Sequence, residues 1–224
     1  MSSIFNLCPF AGDFPGRTAV LEVTRACNLR CPSCLRAGGE GTHGSFDASN
    51  TIHAFHRLSV SSVLLSGGEP LLHPGLFDMI KALACANLNP GICTNGTLVD
   101  AGVARLLRDA GLGYAILSLD GDTAVTHDRA RIGLPSFDAV CRACASLTEA
   151  GIRVDCTMLV GSHNEHTAEN VVALAARLGV QCLTVTPIML LGRATTWDGG
   201  RVLDGPTSRR VALRLSRAAG GVGD

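Results

Sequence analysis

Lysine is nearly absent from this chain of 224 residues: Lys81 is the only one, and arginine supplies the rest of the 19 basic side chains, a bias that reads as a coding preference. Nineteen acidic residues balance them, so the formal net charge is zero. Aromatic residues make up only 4%. Without a basic stripe or interleaved basic and aromatic residues, the chain offers no footprint for nucleic acid. Long apolar runs are missing as well, which excludes a helical membrane span. The start, Met1 to Asn6, lacks the charged and apolar regions of a secretory signal. Low-complexity tracts and internal repeats are also missing. The expectation is a soluble, cytoplasmic protein without nucleic-acid or membrane partners.

The chain is rich in apolar residues, at 46%, and in cysteine, with ten. The first is enough for one sizeable core in one domain of ordinary to large size. A chain this long and regularly patterned is not a disulfide-stapled mini-domain. In a reducing compartment, clustered cysteines point to metal and scattered ones to core packing.

Runs rich in β-branched residues alternate with helix-like segments. Strands are expected at Ala19–Thr24, Ser62–Leu65, Pro90–Thr94, Ala115–Leu119, Val154–Val160 and Cys182–Pro187. Helices are expected at Ala48–Leu58, Leu76–Ala86, Asp100–Ala110, Phe137–Ala150, Thr167–Leu178 and Thr207–Ala219. Val103, Leu106, Leu107 and Ala110 form one apolar set at helical spacing, and Val171, Leu174, Ala175 and Leu178 another. Gly111, Gly151 and Gly179 follow helix ends, while Asp47 and Ser136 are candidate N-caps. Six βα units imply a parallel sheet. The pattern allows either an open doubly wound sheet or an incomplete barrel. In both, sites assemble at the C-terminal ends of the strands.

Four groups of residues fall on that rim. Cys27, Cys31 and Cys34 share one loop after the first strand. Thiolates are the ligands of iron–sulfur clusters, and a three-thiolate set leaves one iron open. The same loop also suits zinc with a distant fourth ligand, or a closed cluster completed by Cys8. Ser66-Gly67-Gly68-Glu69-Pro70 ends the second strand; its glycines allow close backbone approach and its carboxylate suits an ammonium group, or it is a tight turn. Cys93-Thr94-Asn95-Gly96 ends the third, with Asn-Gly as a turn signal and Cys93 expected in the core. Ser118-Leu119-Asp120-Gly121 ends the fourth, where a hydroxyl and a carboxylate suit sugar hydroxyls or a capped turn.

Together, the spacing Cys27-x-x-x-Cys31-x-x-Cys34 and the following Gly67-Gly68-Glu69 resemble the signatures of radical S-adenosylmethionine (SAM) enzymes. The resemblance runs from about Leu21 to Ala194. It implies an α/β fold, a partial (β/α)6 TIM-type barrel of parallel strands, and so decides the architecture that the pattern leaves open. It implies a [4Fe–4S] cluster on Cys27, Cys31 and Cys34. It implies SAM held by Gly67, Gly68, Glu69, Ser118 and Arg131, the last from His127-Asp128-Arg129-Ala130-Arg131, and adenine met by the backbone from Met158 to Glu165. The implied reaction is reductive cleavage of SAM to a 5′-deoxyadenosyl radical that abstracts hydrogen from a peptide or small-molecule precursor. A one-electron donor such as flavodoxin or ferredoxin is implied with it. No residue is assigned to the substrate.

The run Pro187 to Ala194 resembles the end of the barrel in the SPASM/Twitch branch, whose members modify peptides or build cofactors. There are two departures. Ser33 stands where the family usually has an aromatic residue or His, and no cysteine follows Cys182 to hold auxiliary clusters. The expected layout is an N-terminal segment, 1–17, a barrel, 18–197, and a C-terminal helix or tail, 198–224, which frays from Arg217. The alternatives are a non-catalytic iron–sulfur or zinc module, or a fragment of a larger SPASM enzyme. Cys85, Cys141, Cys144, Cys156 and Cys182 are read as core. His43, His53, His56, His73, His163 and His166 lack zinc-protease spacing, His127 is read as structural, and Trp197 has no assigned role.

Overall fold

A computed structural model describes residues 16–198 and 202–220. Cys8, the Met1–Asn6 start and the final residues 221–224 lie outside the described residues. Six strands follow one another: β1 (Arg17–Thr24), β2 (Val60–Gly67), β3 (Asn89–Thr94), β4 (Tyr114–Ser118), β5 (Arg153–Val160) and β6 (Cys182–Pro187). All neighbours are parallel, and strand order equals chain order. A doubly wound sheet reverses its order at a switch point. This one never does, so the architecture is the open barrel. Strands β1 and β6 each pair on one side only, and a seam separates them.

Helices fill the crossovers: α1 (Ala48–Arg57), α2 (Leu76–Cys85), α3 (Ala101–Asp109), α4 (Ala124–Ala130), α5 (Phe137–Glu149), α6 (Ala168–Arg177) and α7 (Gly205–Gly220). Every expected helix is present with ends shifted by two residues or fewer. The short α4 was not anticipated, because seven residues carry little periodicity. The expected fraying from Arg217 is not seen as far as Gly220, where α7 ends.

Burial alternates along the strands. Val63, Leu65, Ile92, Leu117, Met158 and Val185 are buried against the helices, while Ser66, Cys93, Ser118 and Leu159 face the other way and are half-buried. The helices answer with matching stripes, such as Leu76, Ile80 and Leu83 on α2 and Val140, Cys144 and Leu147 on α5, all fully buried. Each such leucine or isoleucine contributes about 1.5–3 kcal/mol of burial free energy.

Several details differ from expectation. On α3 the inward stripe is Ala104 and Leu107, and Leu106 is 56% exposed, since at 100° per residue it falls between the turns that face the sheet. Asp47 caps α1, its Oδ1 accepting from Asn50 N at 3.0 Å. Ser136 does not cap α5. Asp128 does, with Oδ1 accepting from Ser136 N and Phe137 N at 2.8 and 3.0 Å. Cys85 is exposed at the end of α2, whereas Cys144 packs beside Cys156 in the core. Gly111, Gly151 and Gly179 take positive φ, as expected just past helix ends. Among the described residues no helix is long and apolar enough to cross a membrane.

Candidate active site

A cavity of about 260 Å³ opens at the C-terminal rim of the sheet. Cys27, Cys31 and Cys34 line it from the loop after β1. Ser66, Gly67 and Gly68 line it from β2, Cys93 to Asn95 from β3, Ser118 from β4 and Leu159 from β5. Pro187, Ile188 and Met189 close it beyond β6, and Arg131 enters from the end of α4. Of the eight residues expected to hold cluster and SAM, seven therefore face one space, and Glu69 stands behind it.

The cysteine loop is shaped by long-range bonds. Gly68 N donates to Thr24 O at 2.7 Å and Glu69 N to Ala26 O at 2.8 Å, laying the β2 turn against the chain leaving β1. A Cβ on Gly67 would overlap Thr24 O, and one on Gly68 would overlap Ala26 O; Gly67 also has φ +133°. The close approach that requires these glycines is thus made by the protein's own β1 exit. The Asn28 amide bridges the loop to β3: Asn95 Nδ2 donates to Asn28 Oδ1 at 2.9 Å, and Asn28 Nδ2 to Thr97 Oγ1 at 2.7 Å. Arg30 N donates to Ile132 O at 2.6 Å.

Glu69 has no exposed surface. Its Oε1 accepts from Thr94 Oγ1 at 2.7 Å and Leu71 N at 3.2 Å, and its Oε2 from Asn95 N at 2.9 Å. Burial pushes this carboxyl above its ordinary value, and the three donors pull the other way. Glu69 therefore fastens the end of β3 to the end of β2.

Arg131 makes a second fixed point. Its Nε donates to Asp120 Oδ2 at 2.7 Å, and its Nη1 lies 3.8 Å from Cys31 Sγ. Asp120 is fully buried, and its Oδ1 accepts from Leu159 N at 2.8 Å. Asn164 Nδ2 donates to Asp120 O and to Leu159 O, joining β4 to β5. Burial opposes the Arg131 charge, but Asp120 and Cys31 outweigh it, and the guanidinium stays charged. Burial pushes the Cys31 thiol up and Arg131 draws it back; burial likewise raises Cys27, against a bond from the Leu29 backbone. Asp120 does not meet the cavity, so of the Ser118–Asp120 pair only the serine can touch a ligand directly.

Cys93 departs from its expected place in the core: it is half-buried and lines the cavity as a fourth thiol. Burial and the nearby Glu69 raise its thiol. Ser33 is also on the wall. His127 is buried, its Nδ1 accepting from Asp120 N, which agrees with a structural role. His163 packs on Trp197 with ring centres 4.8 Å apart, and neither is part of the wall. Asn28, Asn95 and Asp120 do positioning work that sequence reasoning missed. Their turn-forming character concealed it, since Asn and Asp at strand ends read first as turn residues.

The donor set fits an iron–sulfur cluster. Three soft thiols of one loop face one cavity, with a guanidinium beside one of them. Among the described residues, no three His, Cys, Asp or Glu side chains stand close enough to bind a single ion.

The family model described as the radical SAM superfamily matches residues 21–175. The chain is 27% identical over 208 residues to a pre-heme d1 synthase of Dinoroseobacter shibae, covering 91% of this chain and 51% of the relative. It is 31% identical over 182 residues to the mycofactocin maturase MftC of Mycobacterium ulcerans, covering 79% and 49%. The chain thus spans about half the length of the curated relatives it matches. Among solved structures, Streptococcus suis SuiB bound to S-adenosylmethionine superposes with a TM-score of 0.77 at 16% identity, over 91% of this chain and 48% of that one. SuiB has also been solved bound to a precursor peptide, SuiA.

Proposed function

The chain belongs to the radical SAM superfamily, and on that premise we propose that it cleaves SAM reductively to initiate hydrogen abstraction from a peptide or small-molecule precursor. Cys27, Cys31 and Cys34 would hold the [4Fe–4S] cluster. The observation that carries this reading is the convergence of those three cysteines with Gly67, Gly68, Ser118 and Arg131 on one cavity. When bound, such a cluster supplies the electron that splits SAM into methionine and a 5′-deoxyadenosyl radical, which takes a hydrogen atom from the substrate.

The protein's own part is placement. Arg131, oriented by Asp120, is the proposed receiver of the SAM carboxylate through a charge-assisted bond. Glu69 is the proposed counter-charge of the SAM ammonium. Three protein donors occupy its carboxylate, so it would act on the ammonium as a charge behind the wall. Ser118 is proposed to contact the ribose or carboxylate, and the backbone at Leu159 to contact adenine. The buried Leu29 and Ile188 give the wall an apolar part, proposed to limit water at the reacting groups. A peptide substrate is supported by the maturase name of one relative and by the peptide-bound SuiB structure, and a small-molecule precursor by the pre-heme d1 synthase. A flavodoxin- or ferredoxin-type donor belongs to the same proposal.

The test is electron paramagnetic resonance of the anaerobically reconstituted, reduced protein with and without SAM. A [4Fe–4S]⁺ signal that changes on SAM addition is expected. A signal indifferent to SAM, or bound zinc and no cluster, would overturn the proposal.

A further inference from the structure

We propose that Arg193 is a positioning residue that locks the second half of the cysteine loop from across the seam of the barrel. Retention of the cluster would then depend on the segment after β6. The proposal rests on the reading that Cys27, Cys31 and Cys34 hold the cluster.

The loop has two differently anchored halves. Its first half, Ala26 to Arg30, is tied to β2, to β3 and to the α4–α5 connection by Glu69 N, Asn95 Nδ2 and Ile132 O. Its second half, Cys31 to Gly38, turns on two internal bonds, Cys34 N to Cys31 O at 3.2 Å and Ala37 N to Cys34 O at 3.4 Å. Arg193 supplies three more. Its backbone N donates to Cys34 O at 3.0 Å, its Nε to Cys31 O at 3.0 Å and its Nη2 to Gly38 O at 2.9 Å. Two of these acceptors are carbonyls of the cluster cysteines themselves.

The neighbouring residue fits the same purpose. Gly192 has φ +58°, and a Cβ there would overlap Cys34 O and Leu35 O. Only glycine lets this strand exit lie directly on the loop. The guanidinium then reaches two carbonyls with one planar fork, which an ammonium group cannot match. No ladder joins β1 to β6, so these contacts take the place of strand pairing across the seam.

The experiment compares the wild type with Arg193→Gln, Arg193→Lys and Gly192→Ala. Arg108→Gln is the control, because Arg108 also donates to a carbonyl, Gly151 O, but on the exposed surface. In iron-free protein, alkylation of each cysteine is followed by peptide mass spectrometry. In reconstituted protein, iron loss to a chelator is followed under anaerobic conditions. Arg193→Gln and Gly192→Ala should raise alkylation of Cys31 and Cys34 about tenfold, with a much smaller change at Cys27, and speed iron loss about tenfold; Lys should fall between. The control should match the wild type. If Arg193→Gln does not fold, Arg193→Lys and Gly192→Ala decide. Folded variants with wild-type alkylation at Cys31 and Cys34 and wild-type iron loss would overturn the proposal. A wild type that takes up no iron would instead count against the cluster reading, and the alkylation pattern would still judge the anchor.

Discussion

Replacing Glu69 with glutamine should destabilise the protein even when no SAM is present. The carboxylate accepts three bonds, from Leu71 N, Thr94 Oγ1 and Asn95 N, in a fully buried place. Glutamine has one oxygen and one donor group of the same shape. With its oxygen toward Thr94 and Leu71, its amide nitrogen faces the Asn95 N–H, and one buried donor loses its acceptor. The reverse orientation strands two. The cheaper orientation costs about 1–3 kcal/mol. Removing a buried charge returns part of that, since burial already raises the Glu69 carboxyl. A net loss of about 1 kcal/mol converts to roughly 2–4 °C in Tm for a chain of this size. Thermal unfolding by circular dichroism without SAM reads it directly. A Gln variant with a Tm within a degree of wild type, but with lost SAM binding, would refute the reasoning. The carboxylate's main partner would then be the ligand and not the end of β3.

Two further expectations follow from the same site. Cys93→Ser should leave the iron content and the SAM response of the cluster signal unchanged, because burial and Glu69 disfavour the Cys93 thiolate and the three-cysteine loop supplies the ligands; iron analysis and paramagnetic resonance check this, and loss of the cluster would make Cys93 a ligand. His127 has a pKa pushed down from 6.5 to about 4 by burial, so below pH 6.5 the unfolded chain takes up the proton first. Its stabilising contribution is full above pH 6.5 and is lost as pH falls toward 4, by about 2 kcal/mol at pH 5. Urea titrations at pH 7 and 5 should show His127→Gln losing less stability on acidification than the wild type, and an equal loss would contradict this.

The legible parts of the fold were those governed by period and punctuation. Strand and helix positions followed apolar spacing and the glycines at helix ends, and only α4 was too short to show it. The choice between an open sheet and a barrel rests on strand order, which no local pattern encodes; the motif resemblance supplied it. In the site, cysteine spacing and the Gly67–Gly68 pair located the wall correctly. What could not be read was the direction of each group. Whether Glu69 faces a ligand or the end of β3, and whether Cys93 faces helices or cavity, depends on strand register and on partners far along the chain. Arg193 is the extreme case, because its acceptors lie 155 and 162 residues earlier.

That separation also sets a timetable. Ribosomes add about 5–20 residues each second, so a nascent chain carries the three cysteines for roughly 8–30 s before Arg193 is made. Because strand order follows chain order, each βα unit can dock on its predecessor as it emerges, but the thiol loop receives its last anchor only when the sixth strand is complete. On the proposed anchoring, the three thiols pass that interval without their last anchor, and oxidation of the nascent loop is expected to be fastest then.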